Sequence, residues 1–318
     1  MNTAIRIRKA LSSDLEQLKR LNTHDGNDST LAHRVIDACV LVAESGHRLR
    51  ASSGIDLERS EIRDLYIEPA LINGKLGRRI IQETEKLAAS FGIFSLRIRS
   101  EPPFSSMLRS CGYTSELADI PIASDDTQLH MQRSFPRRRT RYSRTVARWF
   151  SELGIAPEYG RYHRIPLQQE AISLKTIGLD IYQREQKMLP GAADAWLAMC
   201  AQAERSDVLI QAVSAFRSVS YQAGLVRRKI ENGLSIEKIL RVSAAPGFSE
   251  HHTGRAIDIT TPGYPVLEES FESSPAFRWL QTHAAEFSFH LSFPRGNRHN
   301  LSYEPWHWAW SGSLESAR

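Results

Sequence analysis

Ser249-Glu250-His251-His252-Thr253-Gly254-Arg255-Ala256-Ile257-Asp258 is the densest chemistry in the chain. His251 and Asp258 are seven residues apart, a spacing that on a helix would put both on one face, two turns apart. Gly254 and the alternation of Ala256-Ile257-Asp258-Ile259-Thr260 argue instead for a loop entering a β-strand. On such a strand Ala256 and Asp258 share one face, and Ile257 and Ile259 turn to the core. Further along, Glu304-Pro305-Trp306-His307 adds an imidazole and a spare carboxylate. In a flat strand Glu304 and His307 would face opposite sides, so the chain must turn or bulge there, and Pro305 fits that.

Two histidines and an aspartate with a carboxylate left over suit a catalytic zinc ion. Such a site takes three N or O ligands and leaves a fourth position to water. The metal lowers that water's pKa toward about 7. A carboxylate close to the metal but not bound to it takes the proton and returns it to a leaving amine. Each ligand imidazole also needs an acceptor for its second ring nitrogen, which the sequence does not name.

Outward from this stretch, the second half reads as α+β. Helical spacing is expected over 167–182, 192–203, 221–232 and 235–242, with another helix starting at Ser274-Pro275. Strands are expected over 208–214, 256–260, 287–293 and 303–310. The first half alternates strands and helices: strands at 4–9, 61–67 and 93–99, a hairpin around Ser45-Gly46, and helices from Ser13, over 76–91 and over 104–113. Ile80, Ile81, Leu87 and Ala88 make the core face of the 76–91 helix.

The 318 residues suffice for two domains, and 41% apolar with 24% charged residues is ordinary globular composition. Residues 1–132 and 149–318 each hold 17 Lys/Arg against 18 Asp/Glu, so the net +5 comes from 133–148, with seven arginines and no acid. That segment reads as a linker. It is either an anion-binding patch or a connector or helix packed on its neighbours, and the lack of interleaved aromatics argues against nucleic acid. No apolar run is long enough for a membrane-spanning helix. Cys39, Cys111 and Cys200 are widely spaced, and the first residues carry no apolar signal core, so the expected location is cytoplasmic.

The strand ending in Glu68-Pro69, the following glycine-bearing loop and long helix, and the Phe104…Cys111-Gly112-Tyr113 segment resemble the GNAT acyltransferases. The resemblance implies a mixed sheet with helices and a loop that binds the pyrophosphate of acetyl-CoA at a helix N-terminus. That family's loop reads Arg/Gln-x-x-Gly-x-Gly/Ala. Here Ile72-Asn73-Gly74-Lys75-Leu76-Gly77 puts Ile and Lys75 where Arg or Gln and Gly are expected. Only glycine brings the backbone close to phosphate at no steric cost, so a degenerate module is expected rather than acetyl-CoA turnover.

Ser249-x-His251-x-x-Gly254-x-Ala256-x-Asp258 with Glu304-x-x-His307 resembles the VanY-like zinc D-alanyl-D-alanine carboxypeptidases over about 160–311. The resemblance implies His251, Asp258 and His307 as zinc ligands and Glu304 as catalytic base. It also implies Arg217 as clamp for the substrate's terminal carboxylate, with Ser249 and Gln222 hydrogen-bonding the scissile dipeptide. A guanidinium binds a carboxylate bidentately, which suits an exopeptidase. His252 is the adjacent histidine that does not ligate, and His283, His290 and His299 fit no ligand spacing. Trp306, Trp308 and Trp310, at period two, read as a strand face sooner than a glycan platform.

The expected fold class is therefore α/β plus α+β: a GNAT-like mixed sheet over 1–133, an arginine-rich linker over 134–152, and a zinc carboxypeptidase domain with a small antiparallel sheet over 153–318. The expected substrate is a peptidoglycan-derived peptide, cleaved by D,D- or L,D-carboxypeptidase action. The alternative is an acetyltransferase whose second half only binds cell-wall peptide.

Overall fold

The computed structural model describes residues 5–21, 28–72, 74–100, 102–115, 129–135 and 140–312. The chain divides into two compact units, Met1–Arg138 with Arg164–Pro166, and Arg139–His163 with Leu167–Arg318.

The first unit runs β1 (Arg6–Lys9), α1 (Leu15–Leu21), α2 (Asp28–Ile36), β2 (Val40–Ser45), β3 (Arg48–Asp56), β4 (Glu61–Ile67), α3 (Lys75–Ser90), β5 (Ser95–Ser100), α4 (Pro102–Ser110), β6 (Thr114–Ser115) and β7 (Leu129–Ser134). These strands form one seven-stranded sheet, β1-β2-β3-β4-β5-β7-β6, antiparallel except where β4 meets β5 at the single pair Glu61–Arg97. This is the mixed sheet with helices that the acyltransferase resemblance implies. Ile80, Ile81, Leu87 and Ala88 of α3 are buried in its core, as the helical spacing predicts.

At the start of α3, Gly77 serves packing. A Cβ there would lie 2.9 Å from the Ile72 carbonyl oxygen and 3.0 Å from Met107 Sδ. The preceding turn and α4 occupy the space that the missing side chain frees. Neither Gly74, which precedes the helix in extended conformation, nor Gly77 has a positive φ.

The second unit runs α5 (Arg141–Leu153), α6 (Tyr159–Tyr162), β8 (Lys175–Leu179), β9 (Glu185–Met188), α7 (Pro190–Glu204), β10 (Gln211–Ser214), α8 (Val219–Glu231), α9 (Ile236–Val242), β11 (Ala256–Thr260), α10 (Pro275–His283), β12 (Phe289–Leu291) and β13 (His307–Trp310). A four-stranded sheet, β10-β11-β13-β12, is antiparallel throughout, and β8-β9 is a separate hairpin. Ile257, Ile259, Trp308 and Trp310 join α7 and α10 residues in the core beside this sheet.

One expectation changes. Residues 167–182 are not a helix; 175–179 are a strand of the hairpin. Ile172, which carried part of the helical spacing, is fully exposed. Gly178 takes a φ of 105°, which only glycine adopts freely, and the Asp180 carboxylate caps the turn by accepting from the backbone N–H of Tyr182 (2.8 Å) and Arg184 (2.9 Å). In the arginine-rich stretch, 136–139 lie outside the described residues, and 141–153 form a helix, one of the forms expected for it. Thr140 caps it by accepting from Ser143 N–H at 3.0 Å, and Gly154 ends it at φ 68°. Val146, Phe150 and Leu153 bury one stripe of α5, while Arg141, Arg144 and Arg148 stay exposed. Arg148 and Arg227 both lie over the Trp149 ring, 5.3 and 5.1 Å from its centre.

Candidate metal centre

Asp258 is the middle residue of β11, paired across the sheet with His307, the first residue of β13. The chain turns just before β13, closed by the His307 N–H donating to the Glu304 carbonyl at 3.0 Å. That turn puts Glu304 and His307 on one cavity. His251 comes from a short 3₁₀ turn, 250–253, ended by Gly254 at φ 67°. A Cβ at Gly254 would meet the Leu189 nitrogen at 2.9 Å, so both conformation and space demand glycine.

One ligand atom from each of His251, Asp258 and His307 lies within 4.8 Å of the others, and all three residues are buried. His251 Nδ1 is 2.5 Å from the Ala215 carbonyl, which fixes it as donor and leaves Nε2 a bare lone pair. That Nε2 is buried without a hydrogen-bond partner, 3.3 Å from Asp258 Oδ1. Two acceptors facing each other in a buried site repel unless a cation joins them. His307 Nδ1 lies 3.0 Å from the same Asp258 Oδ1, and its Nε2 lies 3.0 Å from Glu250 Oε2. The donor set, the outward ring partners and the orphaned lone pair fit a zinc ion.

The electrostatics agree. Burial, helped by Arg217, pushes His251 down to about 4, so it is neutral. Burial would raise Asp258, but His251, His307 and Arg217 hold it well below the usual carboxylate range. Burial would also lower His307, but hydrogen bonds to Asp258 and Glu250 outweigh it and raise it to about 10. Burial lifts Glu304 to about 7, only partly offset by His307. Its Oε2 stands 3.9 Å from His307 Nδ1, near the ligand cluster without hydrogen-bonding it.

A cavity of about 520 Å³ is lined by all seven residues singled out from the sequence: Arg217, Gln222, Ser249, His251, Asp258, Glu304 and His307. Arg217 Nη2 is 3.8 Å from Asp258 Oδ2, and its buried Nε has no hydrogen-bond partner. Gln222 donates to the Ala244 carbonyl at 2.8 Å, leaving its buried Oε1 unpaired. Buried polar atoms without partners are rare, and here they converge on one space.

His252 is wholly buried and points away from the ligand cluster. Its Nδ1 sits 2.6 Å from the Arg217 carbonyl, and its Nε2 accepts from Gly247 N–H at 3.0 Å. It therefore braces the backbone that carries the arginine. His299 pairs with His163, and His283 with Glu286 at the surface. Sequence reading missed Glu250, which holds His307 from 57 residues away, and the Ala215 carbonyl. No local spacing signals either one. Phe293 packs its ring 4.9 Å from that of His307.

Residues 185–313 match the VanY family model, D-alanyl-D-alanine carboxypeptidase. The matched span therefore contains all seven site residues, five of them from Ser249 to His307, with Arg217 and Gln222 upstream. The candidate carboxypeptidase YodJ of Bacillus subtilis (strain 168) is 33% identical over 128 residues, covering 38% of this chain and 45% of the relative. The chain thus spans about half the length of this curated relative. A solved LdcB LD-carboxypeptidase structure is 28% identical, covering 47% of this chain and 73% of that one, with a TM-score of 0.42. Rv2747 from Mycobacterium tuberculosis, solved in complex with CoA and NLQ, is 16% identical over 41% of this chain and 99% of its own, with a TM-score of 0.35.

Proposed function

We propose that the second unit is a zinc-dependent carboxypeptidase that removes a C-terminal D-alanine from peptidoglycan stem peptides. The observation that carries this reading is the convergence, on one cavity, of a buried His/Asp/His cluster, a raised carboxylate and an arginine with a buried, unpaired Nε. The VanY match and the carboxypeptidase names of the relatives support it.

His251 through Nε2, Asp258 through a carboxylate oxygen and His307 through Nδ1 would hold the ion. When bound, zinc activates water near neutral pH and polarises a scissile carbonyl. Ala215 and Glu250 keep the two imidazoles turned toward that position. Arg217 binds the free terminal carboxylate of the peptide, so an internal peptide bond lacks an anchor. Ser249 and the Gln222 Oε1 hydrogen-bond the dipeptide on either side of the scissile bond. The Glu304 carboxylate takes the proton of the attacking water and delivers it to the leaving amine of D-alanine.

The free thiols of Cys39, Cys111 and Cys200 suit a reducing compartment, the basis on which we infer a cytoplasmic reaction. Among the described residues no helix is long and apolar enough to cross a membrane.

The test is Glu304→Gln. Released D-alanine is measured from D-Ala-D-Ala, a pentapeptide and a tetrapeptide, which separates dipeptidase, D,D- and L,D- action. Hydrolysis should fall by about 10²- to 10⁴-fold while zinc content is retained. Full activity in the variant removes Glu304 from the reaction.

A further inference from the structure

The cavity holds a second cation that the proposed chemistry does not use. Along α8, Gln222, Leu225 and Lys229 occupy positions i, i+3 and i+7, one face of the helix, and all three line the cavity. Arg217 lies just before the helix cap at Ser218, so the wall presents a cation, an amide, an apolar side chain and a second cation in line. Gln222 and Lys229 are separated by about 10 Å along the axis.

Lys229 is half-buried, and its Nζ donates to Ser243 Oγ at 2.5 Å. An ammonium carries three donors, and no described carboxylate lies within ion-pair distance of this one. Burial lowers its pKa, the positive charge of Arg217 lowers it further, and the negative charge of Glu304 opposes them. The cavity is also lined by Glu250, Asp258, Glu268, Glu269 and Glu304, so the pull on an anion is local to the half-buried ammonium, whose hydrogen-bond partner is the Ser243 hydroxyl. The terminal carboxylate of a peptide satisfies one of the two cations. The cavity, about 520 Å³, is in the size range of clefts that enclose whole small ligands, so it takes more of the substrate than its last residue.

Resting on the carboxypeptidase reading above, we infer that Lys229 forms a second anion subsite that selects substrates bearing an additional carboxylate upstream of the scissile bond. Two peptide constituents supply that chemistry: a diamino-dicarboxylic residue with its free side-chain carboxylate, or a γ-linked glutamyl residue with its free α-carboxylate. A stem peptide in which the relevant carboxylate is amidated, or replaced by a lysine side chain, makes no such contact.

The experiment uses the full chain loaded with zinc and a matched peptide set. One pair differs by carboxylate or carboxamide on the diamino residue, and the other by carboxylate or carboxamide on the γ-glutamyl residue. kcat/KM for D-alanine release is measured for the native protein, Lys229→Met and Lys229→Arg. The native protein should prefer the free carboxylate about tenfold in one pair, and that pair names the source. Lys229→Met should bring that ratio close to one, mainly through KM, and Lys229→Arg should keep most of it. Zinc content and thermal melting are compared across the three proteins. No preference in either pair, or an equal loss on both members in Lys229→Met, overturns the subsite. If the native protein cleaves none of the peptides, the carboxypeptidase reading itself fails, which is a different outcome.

Discussion

Two glycine-bearing stretches, 74–77 at the start of α3 and 249–258 in the second unit, are built in opposite ways. At Gly77 the space left by the missing side chain is filled by the Ile72 carbonyl and Met107 of the same unit. At Gly254 the left-handed turn closes against Leu189 and carries His251 into a cavity where its Nε2 has no partner. In the first loop glycine serves packing. In the second it aims a side chain whose hydrogen bonding is incomplete. Unsatisfied buried polar atoms, rather than glycine itself, distinguish a ligand site from a turn.

The contrast can be broken at either loop. The largest effect is expected at the second. Arg217→Ala should lower kcat/KM on peptides with a free C-terminus about 100-fold, as for a lost charge-assisted hydrogen bond. The loss should be far smaller on peptides ending in a carboxamide. Equal losses on both would show that Arg217 does not read the carboxylate.

At the first loop, Gly77→Ala should destabilise its unit by about 1–3 kcal/mol through overpacking against Ile72 and Met107, measured by thermal unfolding, with D-alanine release unchanged. A Gly77 variant with native stability would show that the turn relaxes freely.

The smallest effect sits in the hairpin of the second unit. Burial would raise the Asp180 carboxyl, but the Arg184 and Tyr182 N–H groups and the Arg184 guanidinium hold it below its ordinary range. A folded-state pKa below the unfolded value near about 3.9 stabilises above that pH, and the benefit disappears as pH falls through the folded value. Asp180→Asn should cost about 2 kcal/mol at pH 7. The gap to the native protein in denaturant unfolding should close toward pH 3. A gap independent of pH would remove the charge from the explanation.

Much of this was legible without coordinates. β4 and β11 have the bounds that alternation predicts, because turn residues flank both and each strand has an apolar phase to bury. The clustering of His251, Asp258 and His307 was readable because Asp258 and His307 become neighbours by strand pairing and Gly254 dictates the turn before them. Residues 167–182 misled because apolar spacing signals a helix only if the stripe is buried, and Ile172 faces solvent. The α5 arginines dominated the charge map, yet the three buried residues of the same helix, Val146, Phe150 and Leu153, decide it. Glu250, the Ala215 carbonyl and the bracing by His252 stayed hidden because each acts on a partner distant in sequence, through contacts that tertiary packing alone creates.

The most direct measurement is zinc titration of chelator-treated protein, with unfolding temperature and D-alanine release followed in the same samples. One equivalent should bind, raise the transition of the second unit but not the first, and restore hydrolysis in proportion to occupancy. Hydrolysis at full rate without a divalent ion, or no saturable binding in a folded second unit, would contradict the assignment of His251, Asp258 and His307.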